Sequence, residues 1–477
     1  MANLINTNTN TNTNTNAKMV ARSLASVWHP CTQMKHHEHF PLLPIQRGEG
    51  AWLIDYEGKR YLDAVSSWWV NLFGHANSRI NAALTSQLQQ LEHAMLAGFT
   101  HEPAIELSER LSTLTGLGHA FYGSDGASAV EIALKMSFHY WRNLGQNAKQ
   151  KFVSLDGSYH GETLGALAVS DVAIFRDAYG PLLNNNLRVP FPGKPTLEKP
   201  MAGNPLGADI LREHASNAAP EAALQACCPG CTVDASAALE RLFAERADEI
   251  AAFIVEPLVQ GAAGMRMYHP AYLQKARELC SQYGVHFIAD EIMTGFGRTG
   301  TMFACEQAGI KPDFMCLSKG LTGGYLPLSC VLTTDEIYAA FYHDDTARGF
   351  LHSHSYTGSA LACRAALATL DIFTSDDVLE KNQAKAQRWI ELATPLMAHP
   401  CIKNFRRTGM IFAFEIESLH SQSASFAREF FARGLRRGVL LRPIGNTVYF
   451  MPPYIVEDDE FQWLVEQTLS MIEESIK

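Results

Sequence analysis

Five short apolar runs, separated by stretches of helical spacing, decide what this chain can fold into. They are Phe152–Leu155, Ala252–Val255, Val285–Ala289, Phe314–Leu317 and Leu328–Leu332. Each is largely apolar throughout rather than at alternate positions, which suits strands covered on both faces. Between two of them, Ala271 to Tyr283 places Tyr272, Ala276 and Leu279 on one helical face. Strands alternating with helices imply a mostly parallel sheet, and ligands of such sheets sit beyond the carboxyl ends of the strands. Functional residues are therefore expected just after these runs.

The chain has 477 residues, too many for one simple core. Its formal net charge of −10 argues against a nucleic-acid or anionic-membrane partner. No run approaches a membrane span, and no charged-then-apolar secretory signal opens the chain. Residues 6–16 alternate Asn and Thr, a polar tract that predicts disorder. The ten cysteines are mostly scattered in apolar runs, as expected of reduced thiols in a cytoplasmic protein. Cys227-Cys228-Pro229-Gly230-Cys231 offers a single Cys-x-x-Cys, short of the four ligands of a zinc site, and reads as loop. It falls in residues 193–235, which break the strand–helix pattern and read as an insertion. Beyond residue 370 helical spacing resumes, and Gly438–Pro443 and Val448–Pro453 suggest strands of a second, smaller domain.

Four segments carry groups that converge on one chemistry. Asp290 follows the run 285–289 directly. A carboxylate there can hold a positive charge such as a protonated pyridine nitrogen, or can simply cap a turn. Lys319 lies just past 314–317 and precedes Gly320, Gly323 and Gly324. Desolvation there would free its amine as a nucleophile toward an aldehyde; a lysine reaching solvent is the plain alternative. Gly123-Ser124-Asp125-Gly126-Ala127-Ser128 opens a helix whose free N–H groups can meet a phosphate, though Ser and Asp are also ordinary caps. Tyr159, after the run 152–155, can stack on a flat ring or lie in a turn.

Two further patterns point elsewhere. Gly295-Phe296-Gly297-Arg298-Thr299-Gly300 matches the dinucleotide-binding G-x-G-x-x-G, but Asp290 to Thr294 separate it from the strand and no clear helix start follows. His36-His37-Glu38-His39 and His352-Ser353-His354 lack helical metal-ligand spacing and read as loops.

Together, Tyr159-His160-Gly161, Asp290-Glu291, Gly295–Gly300 and Ser318-Lys319-Gly320 resemble the class III aminotransferases, fold-type I enzymes that use pyridoxal 5′-phosphate. The resemblance runs from about Trp28 to the C-terminus. Within the family, Trp28-His29-Pro30, Ser66-Ser67-Trp68-Trp69, Glu256–Met265, Leu441-Arg442-Pro443 and Phe450–Tyr454 resemble members acting in biotin biosynthesis. Those members convert 8-amino-7-oxononanoate to 7,8-diaminononanoate with S-adenosylmethionine as amino donor. Gly324-Tyr325-Leu326-Pro327-Leu328 resembles members that take the amine from lysine, and another ω-aminotransfer is the remaining alternative.

The resemblance implies an α/β fold: a large domain with a mostly parallel seven-stranded sheet, and a smaller α+β domain. The implied division is a disordered tail (1–17), an N-terminal segment of the small domain (18–75), the large domain (76–370) and a C-terminal part of the small domain (371–477). Lys319 would carry the cofactor as a Schiff base and shuttle protons. Asp290 would face the pyridine nitrogen, with Tyr159 and Ile292 on opposite ring faces. Gly126 and Ala127 would bind phosphate through their backbone, and Ser355 would add a hydroxyl from the neighbouring subunit of a homodimer. Arg442 would hold the substrate carboxylate, in a channel walled by Trp68 and Trp69. Tyr159, Cys31, Ser353 and His354 complete that substrate site. Cys31 stands where well-known members have tyrosine, Ala127 replaces a hydroxyl residue, Ser355 a threonine and Ser353 a glycine.

Overall fold

The computed structural model describes residues 15–40, 42–193, 229–418 and 420–476. Near the N-terminus, β1 (Ile45–Glu49), β2 (Trp52–Asp55) and β3 (Arg60–Asp63) pair antiparallel in succession. The next strands are β4 (His119–Gly123), β5 (Lys151–Leu155), β6 (Leu187–Val189) and β7 (Ile250–Val255). A small hairpin follows, β8 (Val259–Gln260) with β9 (Arg266–Met267), then β10 (His286–Asp290), β11 (Phe314–Leu317) and β12 (Ser329–Thr333).

Seven of these strands form one sheet in the order β4-β12-β11-β10-β7-β5-β6. Only β12 runs against its neighbours, pairing antiparallel with both β11 and β4. Every residue of β7, β10, β11 and β12 is buried, because helices cover both faces. Alternate residues serve opposite faces. Ile254 and Ile288 pack with Val130, Ile132 and Ala133 of the helix Gly126–Asn143. Phe253 and Phe287 join the larger core, with Leu273 and Leu279 of the helix Pro270–Tyr283. The carboxyl ends of β4, β5, β7, β10 and β11 therefore open on one edge.

The chain's two ends meet in smaller sheets. Strands β13 (Ile402–Thr408), β14 (Ile411–Ile416) and β16 (Thr447–Phe450) form an antiparallel sheet, and β15 (Val439–Leu440) lies parallel to β3. The strand expected over 438–443 is thus only two residues long, and Arg442 lies two residues beyond it, ahead of Pro443.

Two expectations need correction. Residues 15–17 of the tail anticipated over 1–17 are helical, since a helix begins at Thr15, within the polar repeat. Asn16 is tied down by its amide, which donates to Asp55 Oδ2 at 2.9 Å, while Oδ1 accepts the Tyr56 N–H at 3.1 Å. Residues 1–14 lie outside the described residues. Residues 229–235 of the insertion expected over 193–235 belong to one helix, Pro229–Arg246, that sends Leu239 and Phe243 into the core. Cys227 and Cys228 lie outside the described residues. Among the described residues no helix is long and apolar enough to cross a membrane, and no group of three or more His, Cys, Asp or Glu could hold a metal ion.

Candidate active site

Strand ends deliver the site. Asp290 ends β10, Glu256 follows β7, Tyr159 and His160 follow β5, and Lys319 comes just after β11. These residues line one cavity of about 290 Å³ together with Trp69, Gly126, Ala127, Glu162 and Ile292. Register brings the two chemically distinctive groups together. Strands β10 and β11 are parallel neighbours, and Asp290 pairs with Cys316, three residues before Lys319.

Asp290 is buried and uses both carboxyl oxygens. Oδ2 lies 2.7 Å from His160 Nδ1, and Oδ1 accepts the Ile292 N–H at 3.2 Å. Among the described residues the buried His160 Nε2 has no hydrogen-bond partner.

Lys319 is half-buried and borders the cavity. Its backbone φ of +46° is in the left-handed region, which costs a non-glycine residue about 1–2 kcal/mol. Its ammonium lies 5.4 Å from the centroid of the Trp69 ring. Burial pushes its pKa below the usual lysine value, while Asp290 and Glu256 pull it back up. An amine more easily stripped of its proton is a better nucleophile.

Tyr159 is held at both ends. Its N–H donates to Glu256 Oε1 at 3.0 Å, and its hydroxyl donates to Glu162 Oε1 at 2.8 Å. Burial raises its phenol pKa first, followed by Glu162 and by the exposed Cys31 thiol. Glu256 Oε2 accepts the Gly261 N–H at 3.0 Å, so one buried carboxyl joins the Tyr159 loop to the turn after β8.

The helix Gly126–Asn143 begins at the cavity. Asp125 caps it, accepting the Ser128 N–H at 2.9 Å. The Gly126 and Ala127 N–H groups sit ahead of the first intrahelical bond, where an anion is favoured. The space is close-fitting: a Cβ on Gly126 would come 3.0 Å from Ile292 Cγ2. A Cβ on Gly161, whose φ is +122°, would come 2.6 Å from the Ala127 Cβ.

Ser66, Ser67, Trp68 and Trp69 form a turn with four consecutive φ values of 51°, 47°, 71° and 74°. Trp69 is buried and donates Nε1–H to Tyr449 Oη at 3.0 Å. Trp68 is exposed, and the Arg442 guanidinium lies 4.2 Å from its ring centroid. Among the described residues no carboxylate forms an ion pair with Arg442. Ser353 and Ser355 are exposed, His354 is half-buried, and none of the three lines the cavity.

Gly295–Gly300 does not open a helix, so the strand–turn–helix context of dinucleotide binding is absent. Arg298 is buried instead. It donates Nη1–H to Pro452 O at 3.0 Å and Nη2–H to Asn71 O at 2.8 Å, fastening the large sheet's domain to both flanking segments. Sequence reasoning assigned no role to Glu256 or His160. Glu256 carries the signal that marks Asp290, a carboxylate at the carboxyl end of an unbroken apolar strand.

The family model "Aminotransferase class-III" matches residues 33–472. The chain belongs to the class III aminotransferases. This aminotransferase is 45% identical over 462 residues to the adenosylmethionine-8-amino-7-oxononanoate aminotransferase of Helicobacter pylori, covering 96% of this chain and 98% of that one. It is also similar to the crystal structure of the enzyme of that name from Methanocaldococcus jannaschii, with TM-score 0.84 and 34% identity over 96% of this chain and 99% of that one. An ω-transaminase from Pseudomonas jessenii, crystallised in complex with PMP, gives TM-score 0.83 at 26% identity, over 96% of this chain and 98% of that one. Pyridoxal phosphate is the cofactor of this family, and the donor set fits it. A buried carboxylate, a desolvated lysine, a tyrosine at a strand end and a helix N-terminus ringed by close-set small residues all border one cavity.

Proposed function

We propose that this aminotransferase converts 8-amino-7-oxononanoate to 7,8-diaminononanoate in biotin biosynthesis, with S-adenosylmethionine as amino donor. One observation carries the substrate assignment. Arg442, free of carboxylate partners among the described residues, stacks on Trp68, while Trp69 of the same turn borders Lys319. The acceptor has matching chemistry: a carboxylate at one end, an apolar chain, and a ketone near the other. Relatives of near-full-length similarity bearing the name of this reaction support the same reading.

Pyridoxal phosphate, when bound, supplies the aldehyde that takes up the amino group and the ring that draws electron density from the reacting carbon. Asp290 would hold the protonated ring nitrogen, with its orientation fixed by the His160 hydrogen bond. Lys319, with its proton more easily shed than that of an exposed lysine, would take and return the proton of the reacting substrate carbon. Tyr159 and Ile292, which both line the cavity, would hold the ring. The Gly126 and Ala127 N–H groups hold the phosphate. Arg442 engages the acceptor carboxylate, and Trp68, Trp69 and Cys31 border its chain. The donor's amino group ends on the acceptor ketone carbon, and the donor leaves as its 2-oxo acid.

The working unit is a homodimer in the cytoplasm, in which Ser355 of one copy adds a phosphate contact to the other, with Ser353 and His354 beside it. Exposed Trp28, Ile174, Tyr342 and Leu351 give the isolated chain the apolar surface such an assembly would cover. The test mixes the purified holoenzyme separately with S-adenosylmethionine and with lysine, then adds the acceptor. Bleaching of the visible absorbance by S-adenosylmethionine and formation of 7,8-diaminononanoate are expected. Bleaching by lysine alone would reassign the donor, and turnover of small ω-amino acids in preference to this ketone would overturn the substrate.

A further inference from the structure

The strained turn Ser66–Trp69 needs a cause. Four consecutive non-glycine residues in the left-handed region do not persist without partners that hold them there. Those partners converge on Asp63, the last residue of β3, whose side chain is wholly buried. Its Oδ1 accepts the Ser67 N–H at 2.8 Å, and its Oδ2 accepts the Ser67 hydroxyl at 2.7 Å. His75 Nε2 lies 3.0 Å from the same Oδ2.

The chain of contacts continues past His75 and fixes its tautomer. Gly74 N–H donates to Asn71 Oδ1 at 2.7 Å, which turns the Asn71 amide nitrogen toward His75 Nδ1 at 3.2 Å. Nδ1 is thus the acceptor, and Nε2–H is left to donate to Asp63. Asn71 O is in turn held by Arg298. Ser66 Oγ anchors the start of the turn on Met451 O at 2.7 Å. The turn is tied to β3, to the segment after β16 and to Arg298, while Trp68 and Trp69 project toward Arg442 and Lys319.

We propose that Asp63 is a positioning residue for the acceptor: its carboxylate holds the left-handed turn that sets Trp68 at Arg442 and Trp69 at the cavity. Asp63 lines no part of the cavity itself and acts only through the turn. This inference rests on the acceptor assignment made above.

Asp63→Asn tests it in the cofactor-loaded enzyme. The amide keeps one acceptor for the Ser67 N–H but presents a donor to His75 Nε2–H. The KM for 8-amino-7-oxononanoate is expected to rise about tenfold or more, while the maximal bleaching rate at saturating donor changes less than about threefold. Glycine takes positive φ without steric cost, so adding Ser67→Gly to Asp63→Asn should bring the KM back toward wild type. If Asp63→Asn does not accumulate as folded holoenzyme, Ser67→Ala against Ser67→Gly decides. Both lose the hydroxyl contact, but only alanine keeps the strain, so only alanine should raise the KM. An unchanged KM in folded Asp63→Asn, no recovery in the double variant, or equal KM values for the alanine and glycine variants would overturn the proposal. A wild-type enzyme that shows no saturable turnover of this ketone would instead count against the acceptor assignment.

Discussion

Asp290 and His160 share a hydrogen bond closed to solvent: Oδ2 and Nδ1 are 2.7 Å apart, and the histidine side chain is fully buried. The remaining Asp290 oxygen is taken by the Ile292 N–H, so the carboxylate cannot rotate without breaking two contacts. Asp290→Asn preserves the shape but removes the charge. Turnover is expected to fall at least about a hundredfold, equivalent to roughly 2.7 kcal/mol of barrier, with cofactor affinity weakened as well. Steady-state rates with the cofactor in excess check this, and a rate within about threefold of wild type would show that the charge is not needed.

Lys319 combines a left-handed backbone with a pKa lowered by burial. Lys319→Ala should purify without the visible absorbance of the lysine-linked cofactor and should lose nearly all turnover. Lys319→Arg keeps a positive charge that is never shed at working pH, so it should be equally inactive. Absorbance spectra and single-turnover assays distinguish the two expectations. Activity retained by the arginine variant would show that charge alone suffices.

Much of this site was legible because of where polar residues interrupt apolar runs. Asp290 ends a strand whose residues are mostly buried, and Lys319 and Tyr159 stand past two others. Strands β4 and β6 gave no such signal, since His119 opens the first and β6 spans only Leu187–Val189. Strand β13 was hidden by Lys403, Asn404, Arg406 and Arg407, which interrupt any apolar alternation. Glu256 carried the strand-end signal, but its contacts are to the backbone N–H groups of Tyr159 and Gly261, which leave no mark on the identity of those partners. The left-handed turn at Ser66–Trp69 was invisible for the same reason: its sequence contains no glycine.

Arg298 explains the glycine-rich motif without a nucleotide. Its guanidinium is buried over the Tyr454 ring at 5.0 Å and donates to three backbone carbonyls, the two closer ones on Pro452 and Asn71 coming from distant segments. Arg298→Met fills similar space but leaves those carbonyls without donors. A loss of about 2–5 kcal/mol of stability is expected, measured by denaturant unfolding of the holoenzyme. A variant as stable as wild type would mean that water replaces the guanidinium at those carbonyls.

Arg442 rests on Trp68 at 4.2 Å and is exposed. A charge-assisted contact to a carboxylate contributes about 1.5–3 kcal/mol, so Arg442→Ala should raise the acceptor KM by roughly 10- to 100-fold. Arg442→Lys should recover only part of this, because an ammonium gives up both the bidentate fork and the stacking plane. An acceptor that lacks the carboxylate should be turned over equally by wild type and variant. If the alanine variant loses that acceptor to the same degree, Arg442 supports the Trp68 wall rather than the carboxylate.

Glu256 makes the pH dependence of the fold testable. Burial pushes its carboxyl up to about 7 from the ordinary 4.5; His160 opposes the rise, Asp290 adds to it, and the Tyr159 and Gly261 N–H groups oppose it. A folded pKa above the unfolded one means that the folded state binds the proton more tightly. The contribution of Glu256 to stability is therefore largest below the unfolded value, falls as pH rises toward 7, and levels off above it. At 1.36 kcal/mol per pH unit, that window amounts to roughly 3 kcal/mol. Glu256→Gln cannot titrate and offers one acceptor to two N–H groups, so it should start less stable at low pH and lack this decline. Urea midpoints of the cofactor-free protein from about pH 5 to about pH 8 read the difference directly. Parallel curves for wild type and variant would place the titration of Glu256 outside that window.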